Sequence, residues 1–513
     1  MGSLGMLSQL ICLSVPITWP VQLSVAVCGL IPWISKKFRS DIQDLTKRIY
    51  DQQLFIQLVF ICLFALTIVL AAGPIIRDDT ESYHLQSIKW MHEYGTVNGI
   101  ANLHARYGFN STWLSLISII TPKTNLNFYT SCNAILSLLV CSSLLHQPRR
   151  EGELRSNSLP LNSGLVMMAF LLSIWYYWRG NSQSTNYDYF FLAFCLIGAV
   201  QSNQKLISAN QLLLVFLIAP PLLFCIRPIY APLMLLSLYS IIKLNIQNQK
   251  ATLFKTSLFY GIFITMFLWR NIQISGYVLF PSTWIDITNV KWKMPKEYVT
   301  IQWEYINNYT WDRSLNIIDA GLKWLKGLYL YDRILVLFGI ISIVFLTTRK
   351  TKLSVRIILH CSLFLMLTLW LFVSPEPRFI SGIFFTSIFM TLSQMWPRIN
   401  QLYYLKWLIT ICTSATLIIT PLFIVIQKLT KEGNAYTNLI TPAEIPSPNY
   451  NTISTDDFKV NLPDKISKNW NKRCYLTPLP CVYDSVPGVR LIGNTIKEGF
   501  YVDYVAPRKI SEN

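Results

Sequence analysis

The chain has 513 residues, of which 52% are hydrophobic and only 14% charged, and its mean hydropathy is +0.38. A soluble chain carries nearer a quarter charged residues, so a string of soluble domains is excluded and one membrane domain is expected. The net charge of +18 would suit nucleic acid, but no basic run sits in a soluble segment of useful size. The excess is read instead as positive-inside loops in contact with membrane lipids, with no nucleic acid partner.

Residues 3–34 are apolar but broken by Pro16 and Pro20, which gives one kinked span or a short hairpin, and no positive start marks a signal peptide. A basic connector at 35–52 follows, then a span at 53–74. The polar segment Gly73–Trp113 comes next, and the short apolar run 113–121 after it is expected to lie at the membrane interface. Further spans are expected at 125–146, 162–178, 188–200, 209–226, 230–242 and 256–269. After a long polar segment, the remaining spans fall at 333–347, 355–373, 379–395 and 405–426.

Lys and Arg fall on alternate loops, which fixes the parity. These runs are too long and continuous for barrel strands. The expectation is therefore an all-α polytopic membrane protein of about 11–13 transmembrane helices. The transmembrane domain covers residues 1–427, with outer loops at about 74–124 and 270–332. A small mixed segment over 428–513 lies on the non-cytoplasmic side of a bacterial plasma membrane, and its alternating runs Val489–Ile492 and Gly499–Val502 read as strands. Nine of the eleven cysteines lie in apolar runs. Cys474 and Cys481 lie in the polar tail and can bridge if it faces an oxidising compartment.

The Gly73–Trp113 segment concentrates Asp78, Asp79, Glu81 and Glu93 with His84, His92 and His104, three of the five histidines. Adjacent acids diverge by about 100° on a helix, so one of the Asp78–Asp79 pair can face a site while the other caps the helix starting near Thr80. On that helix Asp79 and Tyr83 share a face and His84 lies on the adjacent one. A carboxylate there can act as a general base. A facial metal set of Asp79, His84 and His104 is a further reading, so a divalent metal is a possible cofactor although the spacing is no known ligand signature.

Arginine is the anomaly on the outer side, where positive-inside bias depletes it. Arg77, Arg106, Arg179, Arg227, Arg270 and Arg378 all fall at outer span ends or loops. Guanidinium forks match phosphate oxygens, so these positions point to an anionic lipid-phosphate ligand, against the plainer reading of side chains snorkelling to headgroups.

Two likenesses follow from these residues. Asp78-Asp79 followed by Tyr83-His84, in the first outer loop after an early span, resembles the acidic motif of the GT-C superfamily of membrane glycosyltransferases. The segments NLHARYGFNSTW, RNIQISGYVLFP and PEPRF resemble a group of poorly characterised bacterial multi-pass membrane proteins. The GT-C resemblance implies transfer of a sugar from a polyprenyl-phosphate donor to a lipid, glycan or protein acceptor on the non-cytoplasmic face. Asp78 or Asp79 would deprotonate the acceptor, Asp79 leading when aligned on Tyr83 and Asp78 when aligned on the pair, and Arg378 would stabilise the donor phosphate. Catalytic candidates are thus Asp78, Asp79 and His84, and substrate-binding candidates are Tyr83, His104, Arg106, Arg227, Arg270 and Arg378. A polysaccharide polymerase or ligase, or a transporter or flippase without chemistry, are the alternatives. Transport is disfavoured because the apolar runs are nearly free of charge.

Overall fold

The computed structural model describes residues 2–40, 42–43, 54–75, 77–145, 179–203, 208–348, 353–399, 426, 441–464, 473–483 and 486–504. The spans expected at 162–178 and 405–426 lie outside the described residues. Helix dominates. The helices are α1 (Gly2–Ser14), α2 (Trp19–Leu30), α3 (Leu54–Ala71), α4 (Leu85–Glu93), α5 (Thr112–Ile120), α6 (Ser131–Leu145), α7 (Asp188–Asn203) and α8 (Ala209–Ile226). They continue as α9 (Met234–Ile246), α10 (Lys250–Ser275), α11 (Lys296–Thr310), α12 (Ile317–Gly327), α13 (Leu330–Thr347), α14 (Leu353–Val373) and α15 (Pro377–Ile399).

Among the described residues three helical stretches are long and apolar enough to cross a membrane: Pro228–Ile246, Lys250–Ser275 and Leu330–Thr347. Their outward residues are large and apolar, with Phe254, Leu258 and Trp269 exposed on α10 and Phe338, Ile341 and Val344 on α13. A helix that is apolar on its exposed face belongs against lipid. Shorter apolar helices accompany them, among them Phe60–Ala71, Asn210–Ile226 and Ile357–Val373.

The N-terminal apolar stretch is two helices, because Pro16 falls in the break between α1 and α2. Helix α5, expected at the membrane interface, has every residue from Thr112 to Ile119 buried within the protein. Helix α1 covers one side of it, with the Thr112 hydroxyl donating to Gln9 Oε1 at 2.8 Å, and Trp113, Leu116 and Ile117 join the main apolar core. A run too short to span is thus packed on both flanks inside the protein.

Helix α15, which carries Arg378 at its start, packs between α7 and α13. Close approach on the α13 side depends on Gly339, where a Cβ would lie 2.4 Å from the Phe384 ring.

The tail contains the expected strands. Strand β1 (Tyr450–Ser454) pairs antiparallel with β2 (Lys459–Pro463), and β3 (Val489–Leu491) pairs antiparallel with β4 (Phe500–Val502). Cys474 and Cys481 are joined by a disulfide. These small sheets do not make a core of their own. Phe458, Val460, Val489, Leu491 and Phe500 bury together with Tyr83, Trp90, Val97, Ile100 and Tyr107 of the first polar segment. Gly99 permits the contact: its φ is +63°, and a Cβ there would meet the Phe500 carbonyl oxygen at 2.0 Å.

Candidate functional site

Asp79 stands just ahead of a π-helical turn, Thr80–His84, closed by the Leu85 N–H donating to the Thr80 carbonyl. The i→i+5 pattern widens the turn relative to an α-helix, and such bulges recur at functional positions. It changes which side chains meet. His84, placed on an adjacent face by α-helical spacing, interacts electrostatically with Asp79. Gln86 and Trp90 turn away, Gln86 to the Tyr475 and Thr477 carbonyls and Trp90 into the apolar cluster shared with the tail.

Two guanidiniums from distant parts of the chain hold the Asp79 carboxylate. Arg378 Nη1 donates to Oδ2 at 2.9 Å, and Arg106 Nη1 lies 3.9 Å from Oδ1. Arg378 also pairs through Nε with Glu376, two residues earlier. Arg106 donates from Nη2 to the Tyr305 hydroxyl at 3.4 Å and lies over the Tyr83 and Tyr305 rings. Next to them, Arg227 Nη1 donates to both oxygens of Asp188, at 2.6 and 2.8 Å, while its guanidinium lies 3.5 Å from the centroid of Phe379.

The cluster is reachable. The Asp79 side chain retains 28% exposure, Arg378 25% and Arg227 22%, whereas Asp188 beneath them keeps 4%. Nη2 of Arg378 and of Arg227 makes no hydrogen bond among the described residues.

Burial alone would raise the Asp79 carboxyl. The charges of Arg378, His84 and Arg106, with the Arg378 hydrogen bond, outweigh it and hold the group well below the usual carboxylate range. His84 is lowered as well, but here burial itself is the main cause, because it disfavours the charged imidazolium. Asp79 opposes it, and Arg378, Arg106 and Arg227 add to it, which brings the ring to about 4. His84 is therefore neutral at neutral pH. Its Nδ1 lies 2.6 Å from Thr185 Oγ1, and its buried Nε2 has no hydrogen-bond partner among the described residues.

The floor under this cluster is the loop 181–188, NSQSTNYD. Asn181, Ser182, Gln183, Ser184 and Thr185 are each at most 2% exposed. Polar groups tolerate such burial only when hydrogen-bonded. Asn133 of α6 supplies the bonds: its Nδ2 donates to the carbonyls of Asn181, Ser184 and Asn186 at 3.0, 2.9 and 3.1 Å, and its Oδ1 accepts from Trp113 Nε1. Thr185 then meets His84, and Tyr187 hydrogen-bonds to Tyr83.

The remaining candidates are placed elsewhere. Asp78 is exposed and caps nothing; its carbonyl accepts from the Ser82 hydroxyl, and its carboxylate acts on Glu81 of the tail contact rather than on Asp79's arginines. His104 faces Tyr483 and Tyr107 with ring centroids at 4.6 and 5.3 Å, and its Nδ1 accepts from the Arg106 backbone N–H. Among the described residues no three His, Cys, Asp or Glu side chains gather into a metal site, so Asp79, His84 and His104 do not assemble as the facial set. Arg270 bonds to Asn110, Ser115 and Thr96 and takes no part in the Asp79 cluster. Asp188, Glu376, Thr185 and Tyr187 were missed. For Glu376 the signal was present in PEPRF, two positions before Arg378.

Apolar helices of membrane-spanning length, with a half-buried arginine–carboxylate cluster drawn from loops at their ends, define a helical membrane-associated protein with a polar site. A family model described as Domain of unknown function (DUF8201) matches residues 1–385, and the chain belongs to that family. The match encloses the whole cluster from Asp79 to Arg378. No curated protein and no solved structure matches the chain.

Proposed function

We propose that the protein is a multi-pass membrane glycosyltransferase of GT-C type, moving a sugar from a polyprenyl-phosphate donor to a lipid, glycan or protein acceptor on the non-cytoplasmic face. One observation carries this reading: Asp79 is gripped by Arg378 and Arg106, with Arg227 alongside, although these residues come from four separated segments. Topology supports the side. Arg227 and Arg270 lie at one end of α9 and α10, while Lys243 and Lys250 lie at the other, as positive-inside bias requires if the cluster is outside. The Cys474–Cys481 disulfide, in a tail packed on the same loop, fits an oxidising compartment.

In this reading the unused Nη2 groups of Arg378 and Arg227 take the donor phosphate, for which planar guanidinium forks are suited. The phosphate competes with Asp79 for Arg378 and Arg106. A carboxylate relieved of those charges regains basicity. Asp79 then accepts the acceptor's hydroxyl proton as that oxygen bonds to the anomeric carbon. The bond from that carbon to the phosphate oxygen breaks, and its electron pair leaves on the phosphate, where the arginines offset the charge. Neutral His84, with Nε2 unpaired, can hydrogen-bond the incoming substrate.

The test is sugar transfer from labelled polyprenyl-phosphate donor by membranes carrying single variants. Asp79→Asn loses about 100-fold or more of the rate, with unchanged protein level and melting temperature. Asp78→Asn, whose side chain lies outside the cluster, retains most activity. Full transfer by Asp79→Asn would sink the assignment.

A further inference from the structure

We propose that a second and independent site, between α4, α5 and α10, holds one small monovalent anion of halide size. Arg270 lies in the last turns of α10 and is 7% exposed. Its Nη1 donates to Asn110 Oδ1 at 2.8 Å and Ser115 Oγ at 2.9 Å, and its Nε to Thr96 Oγ1 at 3.3 Å. All three partners are neutral. Among the described residues no carboxylate pairs with it, whereas Arg473, as buried, has Glu81, and even the partly exposed Arg227 and Arg378 have Asp188 and Asp79 with Glu376. A guanidinium removed from water without a counter-charge is costly, and protein interiors answer that cost with a partner.

A cavity of about 30 Å³ opens beside Arg270, lined also by Trp90, Thr96 and Ser111. Two of its polar atoms lack hydrogen-bond partners among the described residues: the Trp90 Nε1 and the Ser111 hydroxyl, on residues each 2% exposed. Nη2 of Arg270 makes no hydrogen bond among the described residues either. The indole and guanidinium groups can only donate. Ser111 is also the N-cap of α5, yet its side chain caps nothing, and the first backbone N–H groups of that helix add partial positive charge. Donors without acceptors, around a buried positive charge, make the complement of an anion.

Size then selects among anions. One water needs about 10–15 Å³ measured this way. The hole therefore admits a halide, or an ion as small, and not a phosphoryl group. Arg270, expected from sequence to bind the same phosphate as Arg378, serves a different ligand. The bound ion would tie the end of α10 to the 95–111 segment, whose Phe109 borders both this cavity and Tyr83.

The experiment uses the full chain in lipid nanodiscs, with melting temperature followed as gluconate is exchanged for chloride or bromide at constant ionic strength. Melting temperature should rise saturably with halide and not with sulfate. Trp90→Phe keeps the ring and removes one donor, and Ser111→Ala removes another. Each should weaken the half-saturating halide concentration by about tenfold. Anomalous scattering from crystals grown in bromide should show a peak within hydrogen-bond reach of Trp90 Nε1, a readout that survives if either variant fails to fold. A wild-type protein indifferent to halide, halide responses in both folded variants equal to that of the wild type, or crystals without that peak would overturn the proposal. None of these readouts depends on sugar transfer.

Discussion

His84 and Asp79 lie five positions apart, and each is pushed away from its ordinary titration range. For His84 the folded-state value, about 4, lies below the ordinary 6.5. The unfolded chain therefore binds more protons between those values, and stability falls as pH falls through that window. The contribution is complete above pH 6.5, is lost toward pH 4, and amounts to order-of-magnitude ~3 kcal/mol for a ring this buried. Asp79 has the same sign in a lower window: its lowered value stabilises above the carboxylate range and fails only in stronger acid. Buried His92, also lowered, adds to the His84 trend. Melting temperature should thus drop between pH 7 and pH 5 in the wild type, and drop less in His84→Gln, where the His84 part is gone and the His92 part remains. Equal drops would show that His84 is not held neutral. Arg378 gives a second expectation at this scale. It reaches Asp79 and Glu376 from different nitrogens of one planar group, which a lysine ammonium cannot imitate. Arg378→Lys should keep the fold but lower transfer at least about 10-fold, measured as kcat/KM for the donor.

At the scale of elements, the loop 181–188 matters more than its composition suggests. Nothing local in its Ser, Asn, Gln and Thr residues announces Asn133, some fifty positions earlier, as the donor within reach of three of its carbonyls. Asp188 was hidden for the same reason: a lone acid at the end of a polar run carries no periodic signal. The π-turn was equally illegible, since its effect is to break the periodicity by which faces are assigned. By contrast, Arg378, Arg227 and Arg106 were legible because arginine at outer span ends runs against a strong charge bias, and β3 and β4 because alternation survives in short strands. Asn133→Leu should leave those carbonyls unsatisfied in the interior and cost on the order of 3 kcal/mol. Because the loop carries Asp188 under Arg227 and Thr185 under His84, the same variant should lose transfer activity even at temperatures where it is folded. A melting curve together with a rate at low temperature separates the two effects.

Across the whole molecule, the polar tail and the first loop are one structure. Tyr107 donates to the Cys481 carbonyl at 2.8 Å, Tyr475 donates to Glu81, and Lys89 donates to the Leu476 and Thr477 carbonyls at 2.9 and 2.7 Å. These bonds join segments nearly four hundred residues apart to the helix that follows Asp79, so the side of the membrane taken by the tail is the side taken by the site. The disulfide makes that side measurable. It closes a short loop, Cys474 to Cys481, and contributes about 2.5 kcal/mol by restricting the unfolded chain. In sealed right-side-out vesicles, a membrane-impermeant maleimide should label the wild type only after an impermeant reductant is added. That increment should vanish in the Cys474→Ser, Cys481→Ser double variant, which controls for exposed thiols such as Cys28 and Cys361. Labelling that requires permeabilised vesicles would put the tail, the Asp79 cluster and any lipid-phosphate donor on the cytoplasmic side, and the orientation assigned from lysine and arginine bias would have to be reversed.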